Sequence, residues 1–170
     1  QLGPSGKTKS CDSSPYTSTI FSNNPLFVDL KQLTTKDWDY ILSEETFNKI
    51  VEENPNKDVA KTAYSYIYKA QDIALKEAFE NFKTSDKLKK ARKEFEVYKL
   101  ENKFWLETDA LYSALSIEHS NDYWPLWQNE TDKNLYDPKS YEDQAENSHR
   151  LDEIEKKYAD EIEFYMFVQY

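Results

Sequence analysis

A mainly helical fold, with an irregular proline-rich N-terminal loop followed by a helical subdomain, is predicted by three observations. Glycine is nearly absent, prolines concentrate at the start, and apolar residues recur at steps of three and four over most of the remainder. Only Gly3 and Gly6 are glycine among 170 residues, so residues 7–170 must fold without the residue that adopts positive φ freely. That excludes Gly-rich phosphate loops, dinucleotide-binding fingerprints and tight glycine hairpins beyond the first few positions. Residues 1–34 hold Pro4, Pro15 and Pro25 and a polar run over 7–14. Proline fixes φ and pushes its predecessor out of the helical region, so this stretch reads as extended loop. The chain therefore divides into a loop region, 1–34, and a helical subdomain, 35–170.

Thr35 is expected to cap a short helix carrying Trp38, Ile41 and Leu42, and Ser43 a second carrying Phe47, Ile50 and Val51. Between residues 55 and 84 an apolar stripe of helical period runs through Val59, Ala63, Tyr66, Ile67, Ala70, Ala74, Ala78 and Phe82. The short polar residues Thr84, Ser85 and Asp86 break it, because their side chains compete for backbone amides. Leu88, Ala91, Phe95 and Tyr98 resume the spacing, and a third helix carries Trp105, Leu106, Ala110, Leu111, Ala114 and Leu115. Residues 119–136 have no period and read as a long connection. Asp137-Pro138 then supplies a cap and a proline at the first helical position. One final helix is predicted to run to the chain end, with Leu151, Ile154, Tyr158, Ile162, Tyr165 and Val168 as its seam and an acidic outward face. It shows no stop signal, and the chain opens on Gln1 with Met166 as its single methionine, so a piece of a longer protein is expected.

The composition is 38% hydrophobic and 15% aromatic, too rich in aromatic residues for a disordered tail. A formal charge of -10 argues against nucleic acid or an anionic membrane as partner, since phosphates are neutralised by clustered Lys and Arg. Cys11 is the single cysteine and has no internal disulfide partner; no apolar run approaches the roughly 20 residues of a membrane span, and no secretory signal opens the chain. A soluble cytoplasmic setting is expected.

The acids lie mostly on helix faces, where solvation explains them, whereas retaining glycoside chemistry needs two carboxyls held about 5 to 5.5 Å apart. His119 and His149 are far apart, Cys11 with His119 lacks the local context of a nucleophile and base, and no zinc-binding spacing is present. Tyr123, Trp124, Trp127 and Tyr136 crowd the aperiodic connection. They read either as a cluster that packs the loop down or as an aromatic platform for sugar rings.

Several motifs then fall in one order. Leu2-Gly3-Pro4-Ser5-Gly6, Ser14-Pro15-Tyr16 and the run from Phe21-Ser22-Asn23-Asn24-Pro25 to Asp29-Leu30 open the chain. Ala78-Phe79-Glu80-Asn81-Phe82, Trp105-Leu106 with Asp109-Ala110-Leu111-Tyr112 and Ala114-Leu115, and Glu161-Ile162-Glu163-Phe164 onward follow. Together they resemble the 4-alpha-glucanotransferases, the amylomaltases or disproportionating enzymes. The resemblance implies that the loop and helical subdomain are inserted in a (β/α)8 barrel after an early strand. It implies transfer of α-1,4-glucan chains between maltooligosaccharides with retention, with no metal or organic cofactor. The family's nucleophile, acid/base and third acid come from later strands, so no catalytic residue is expected here. By the same resemblance Tyr16 and Ser14 are sugar contacts, and the partners are α-1,4-glucans and the remainder of the barrel, with no nucleic acid or membrane. The chain departs from the pattern at Lys7, where the family often has tyrosine, at Thr17 in place of glutamine, and at Asn23 in place of glycine. Two other readings stand beside it: a non-catalytic acidic helical interaction module, and a stand-alone sugar-binding module built on Trp124 and Trp127.

Overall fold

The computed structural model describes residues 6–8, 19, 21–135 and 141–170, with side chains from 144 onward in the last stretch. Among these residues the regular structure is α-helix and short 3-10 turn, with no strand, so the expectation of a mainly helical chain holds. The elements group into two compact units, Gln1–Ser22 with Asn102–Gln169, and Asn23–Glu101 with Tyr170.

In the unit of Asn23–Glu101, a proline-opened 3-10 turn at Pro25–Phe27 is capped by the Asn24 side chain, which accepts from the Leu26 amide at 3.0 Å. Helix α1, Leu30–Leu33, begins at Asp29, whose carboxylate accepts from the Lys31 amide. The helix expected after Thr35 is only a single 3-10 turn, Lys36–Trp38, and Thr35 does not cap it. The Thr35 hydroxyl instead donates backward to the Gln32 carbonyl at 2.7 Å, and the turn ends where Asp39 and Tyr40 take φ of 52° and 56°. Ile41 and Leu42 thus lie beyond the turn, both buried. Positive φ at two non-glycine residues is costly and needs support. Asp39 supplies some of it by accepting from the Ser85 hydroxyl at 2.8 Å and the Lys87 ammonium at 2.6 Å; the Lys87 bond holds its carboxyl below the usual range.

Helix α2, Glu44–Glu52, starts as expected at Ser43, whose hydroxyl accepts from the Thr46 amide at 3.1 Å. Glu77 clamps the same end, accepting from the Ser43 amide at 2.7 Å and from the Thr46 hydroxyl. Helix α3, Tyr64–Thr84, starts later than the stripe predicts, leaving Ala63 outside it and Val59 exposed in the turns before it. Pro55 and the Asn54 side chain, which accepts from the Asn56 amide, hold this segment in turn geometry. From Ala70 onward the stripe is buried as predicted, through Ala74, Ala78 and Phe82. Buried Gln71 satisfies its amide by donating to the Pro25 and Val28 carbonyls at 3.0 and 3.1 Å. Helix α4, Lys89–Glu101, follows the predicted break, and Arg92 bridges it by donating to the Phe82 and Ser85 carbonyls at 2.8 and 2.5 Å. Phe82 meets Phe95 edge-on at 6.1 Å, and Tyr170 closes this aromatic cluster while donating to the Ala91 carbonyl.

The other unit holds α5, Lys103–Glu118, α6, Glu130–Lys133, α7, Tyr141–Lys157, and α8, Ala159–Gln169. Its core gathers Leu111, Ala114, Leu115, Trp127, Leu135 and Ile154, with Tyr112, Leu151, Tyr158 and Ile162 packed against them. The single final helix of the sequence reading is in fact α7 and α8, interrupted at Tyr158. Hydrogen bonds from Tyr158 to Ile154 and from Ile162 to Tyr158, both 2.9 Å, straddle the junction. The apolar seam carries on across it without glycine or proline, so the pattern gives no sign of the break. The aperiodic connection contains a 3-10 turn at Trp124–Leu126 and the short α6, whose start is set by the Asn129 side chain accepting from Thr131 and Asp132. Asp137-Pro138 and Tyr136 lie outside the described residues. No helix among the described residues is long and apolar enough to cross a membrane.

Candidate functional site

Ser14 and Tyr16, the two sugar contacts that the resemblance implies, lie outside the described residues, as does Cys11. What the structure does show is the base from which residues 9–18 depart and to which they return. The Lys7 amide donates to the Ser22 carbonyl and to the Thr19 hydroxyl oxygen, each at 3.0 Å, and the Thr19 amide donates to the Lys7 carbonyl at 3.0 Å. The Ser22 hydroxyl donates to the Thr19 hydroxyl oxygen at 2.7 Å, while that hydroxyl donates to the Ser22 carbonyl. Three polar residues thus satisfy one another's backbone where loop geometry leaves no ladder to do so.

Helix α5 seats this base. Trp105 and Asp109 are four residues apart, so both lie on one face of the helix. Phe21 stacks on Trp105 at 6.2 Å and meets Phe104 edge-on at 5.5 Å. The Lys7 ammonium sits 4.8 Å over the Tyr165 ring on α8. Burial pushes the Lys7 ammonium pKa down, against the pull of the Asp109 and Asp122 carboxylates. Burial likewise pushes the Asp109 carboxyl up, offset by its hydrogen bond with Ser22 and the charge on Lys7. Chemically this is an anchor: an amine, a carboxylate and two hydroxyls hold the base of a loop.

A second polar cluster lies in the same unit. The Asp132 carboxylate is fully covered and accepts from Arg150 Nε at 2.8 Å, Arg150 Nη2 at 3.0 Å and the His119 ring at 2.7 Å. Arg150 Nη2 also reaches Glu118 at 2.6 Å, and Lys157 donates to the other Glu118 oxygen at 3.1 Å. The His119 ring stacks on Trp127 at 4.6 Å, Trp127 stacks on Tyr112 at 5.6 Å, and the Trp127 indole donates to the Asn121 carbonyl. His119 therefore belongs to a packed structural network, and His149 is an exposed side chain 3.5 Å from Glu153. Of the aromatic residues in the connection, Trp127 is core, whereas Tyr123 and Trp124 are 44% and 50% exposed. Sequence reasoning missed the Asp132–Arg150 pairing. A signal was there: Arg92 and Arg150 are the only arginines among 22 basic residues, and each binds two partners, Arg92 from a single nitrogen and Arg150 through the planar guanidinium fork.

Burial alone would raise the pKa of Asp132 and Glu118, but the bonds from Arg150, with His119 and Lys157, outweigh it and hold both carboxyls below the usual range. Groups depressed in the folded state contribute stability that is present above their unfolded pKa values, near 4, and lost as pH falls through the folded ones. Urea unfolding should therefore show stability declining as pH is lowered from about 4. Asp132→Asn should remove part of that slope, and an unchanged slope would mean that this cluster does not drive acid unfolding.

The family model described as 4-alpha-glucanotransferase matches residues 1–170. The chain is similar to the 4-alpha-glucanotransferase of Thermus thermophilus, 28% identical over 170 residues that cover 99% of this chain and 28% of that protein. It is also similar to the 4-alpha-glucanotransferase of Clostridium butyricum, 23% identical over 171 positions that cover 100% of this chain and 30% of that protein. The chain thus spans less than a third of the length of the curated relatives it matches.

Proposed function

The chain belongs to the 4-alpha-glucanotransferase family, and from that premise we propose that it is a segment of an enzyme transferring α-1,4-glucan chains between maltooligosaccharides. The transfer proceeds with retention through a covalent glucosyl-enzyme, on acids carried by a barrel of which this segment is an insertion. No metal or organic cofactor takes part, and the enzyme works in the cytoplasm. Residues 1–34 border the glucan groove, and 35–170 form its helical cover. A transferase must favour a sugar hydroxyl over water as acceptor, so elements that exclude water and orient two glucans serve the reaction directly.

The observation that supports this reading best is physical as well as sequential. Motifs more than 80 positions apart, the opening loop and the Trp105–Asp109 face of α5, meet at one anchored base, and the family match runs through both. In this reading the Lys7 and Phe21 contacts hold the loop so that Ser14 and Tyr16 contact sugar. In the intact enzyme Tyr16→Ala should lower transfer at limiting maltooligosaccharide by about tenfold or more, the cost of one lost sugar contact of roughly 1.4 kcal/mol. The thermal midpoint should barely move. Unchanged transfer would remove Tyr16 from the site.

A further inference from the structure

We propose that the open groove between the C-terminal half of α5 and residues 120–126 binds an α-1,4-glucan chain. Its volume is about 550 Å³, within the usual range for ligand sites. One wall is a single helix face: Ser113, Ser116 and Ile117 follow the three- and four-residue spacing that aligns side chains on α5. Asn121, Tyr123 and Leu126 form the other wall.

The lining decides the class of ligand. Hydroxyls and a carboxamide alternate with apolar surface, and Ile117, Tyr123 and Leu126 are 52%, 44% and 60% exposed. Among the described residues no lysine, arginine or histidine lines the groove, and Asp122 is the one carboxylate there, so phosphorylated and other anionic ligands are disfavoured. A ligand with hydroxyl edges and C–H faces matches such a wall; a sugar chain has both. The choice of an α-1,4-glucan among sugars rests on the transferase reading above.

The groove is also preformed. The Tyr112 hydroxyl donates to the Asp122 carbonyl, the Trp127 indole to the Asn121 carbonyl at 2.8 Å, and the Asn121 amide to the Ser116 carbonyl at 3.0 Å. The Asn121 side chain accepts from the Tyr123 amide at 2.8 Å, and Ser120 is held at φ 49°. A turn tied at this many points loses little further freedom when a ligand arrives, which favours binding.

Hydrogen–deuterium exchange of the intact protein with added maltoheptaose tests this, read at the peptide covering residues 113–126. Protection is expected with maltoheptaose and not with cellohexaose. Tyr123→Ala should raise the maltoheptaose concentration for half-protection about tenfold, as for loss of an aromatic anchor. Its thermal midpoint should match the parent protein because the ring is half-exposed, and Leu126→Ser serves as a second variant with the same expected loss. A parallel assay of transfer from maltotriose separates the two readings. Transfer without protection of this peptide, equal protection by cellohexaose, or protection untouched by both substitutions would overturn the groove. Protection that both substitutions weaken would uphold it even if maltotriose were left unchanged, in which case the transferase reading is the one that fails.

Discussion

Arg150→Ala should lower the unfolding free energy of the intact protein by about 3 kcal/mol, the lower end of the range for removing one partner of a buried ion pair. Asp132 is 0% exposed and Arg150 17%, so the substitution leaves a covered carboxylate without its guanidinium. Its remaining partner would be the His119 ring, too little for an ionised group. The same arginine ties Glu118 on α5 to Asp132 on α6 from its place on α7, so its loss removes a link shared by three helices. The bonds to Asp132, despite the opposing cost of burial, push the guanidinium pKa still higher, so no accessible pH substitutes for the mutation. Arg150→Lys should recover little, because an ammonium is a point charge that does not reproduce the two-pronged contact. Urea unfolding followed by circular dichroism measures this, and a loss below about 1 kcal/mol would reclassify the cluster with ordinary surface pairs.

Phe82→Ala carries the other large effect, about 3 to 5 kcal/mol for truncating a buried aromatic ring. Phe82 is 1% exposed and contacts both Phe95 and Tyr170, so the deletion opens a void beside the two rings that remain. Its own backbone carbonyl is one that Arg92 uses to bridge α3 and α4, so relaxation into the void disturbs that link. Ile73→Ala, on the same helix but 60% exposed, should stay within about 0.5 kcal/mol. Equal effects of the two substitutions would contradict the assignment of the core face of α3.

The elements legible in the sequence are those whose burial follows one helical period. Ala70, Ala74, Ala78 and Phe82 on α3 and Leu111, Ala114 and Leu115 on α5 are buried as their spacing requires, and Ser43 caps α2 through a purely local bond. The misreadings arise where a competing local bond or a silent junction intervenes. Thr35 spends its hydroxyl on Gln32, Asn54 fixes a turn that Val59 inherits, and Tyr158 interrupts a helix whose seam continues. The pairing of Asp132, Arg150 and His119 was missed for a different reason: rarity singles out Arg150, but the partners lie 13 to 32 positions apart and no periodicity encodes such a pairing. Ser14 and Tyr16 were singled out through resemblance alone, whereas the anchor on Lys7, Thr19, Ser22 and Asp109 emerges from the structure.

The central claim is that this segment belongs to an enzyme that moves α-1,4-glucan chains. Incubating the intact protein with maltotriose and resolving the products by chain length tests it most directly. The expected result is glucose together with maltooligosaccharides longer than the substrate, with total reducing ends constant because each glucosidic bond broken is replaced by another. Maltotriose left unchanged, or products shorter than maltotriose with reducing ends increasing, would contradict it.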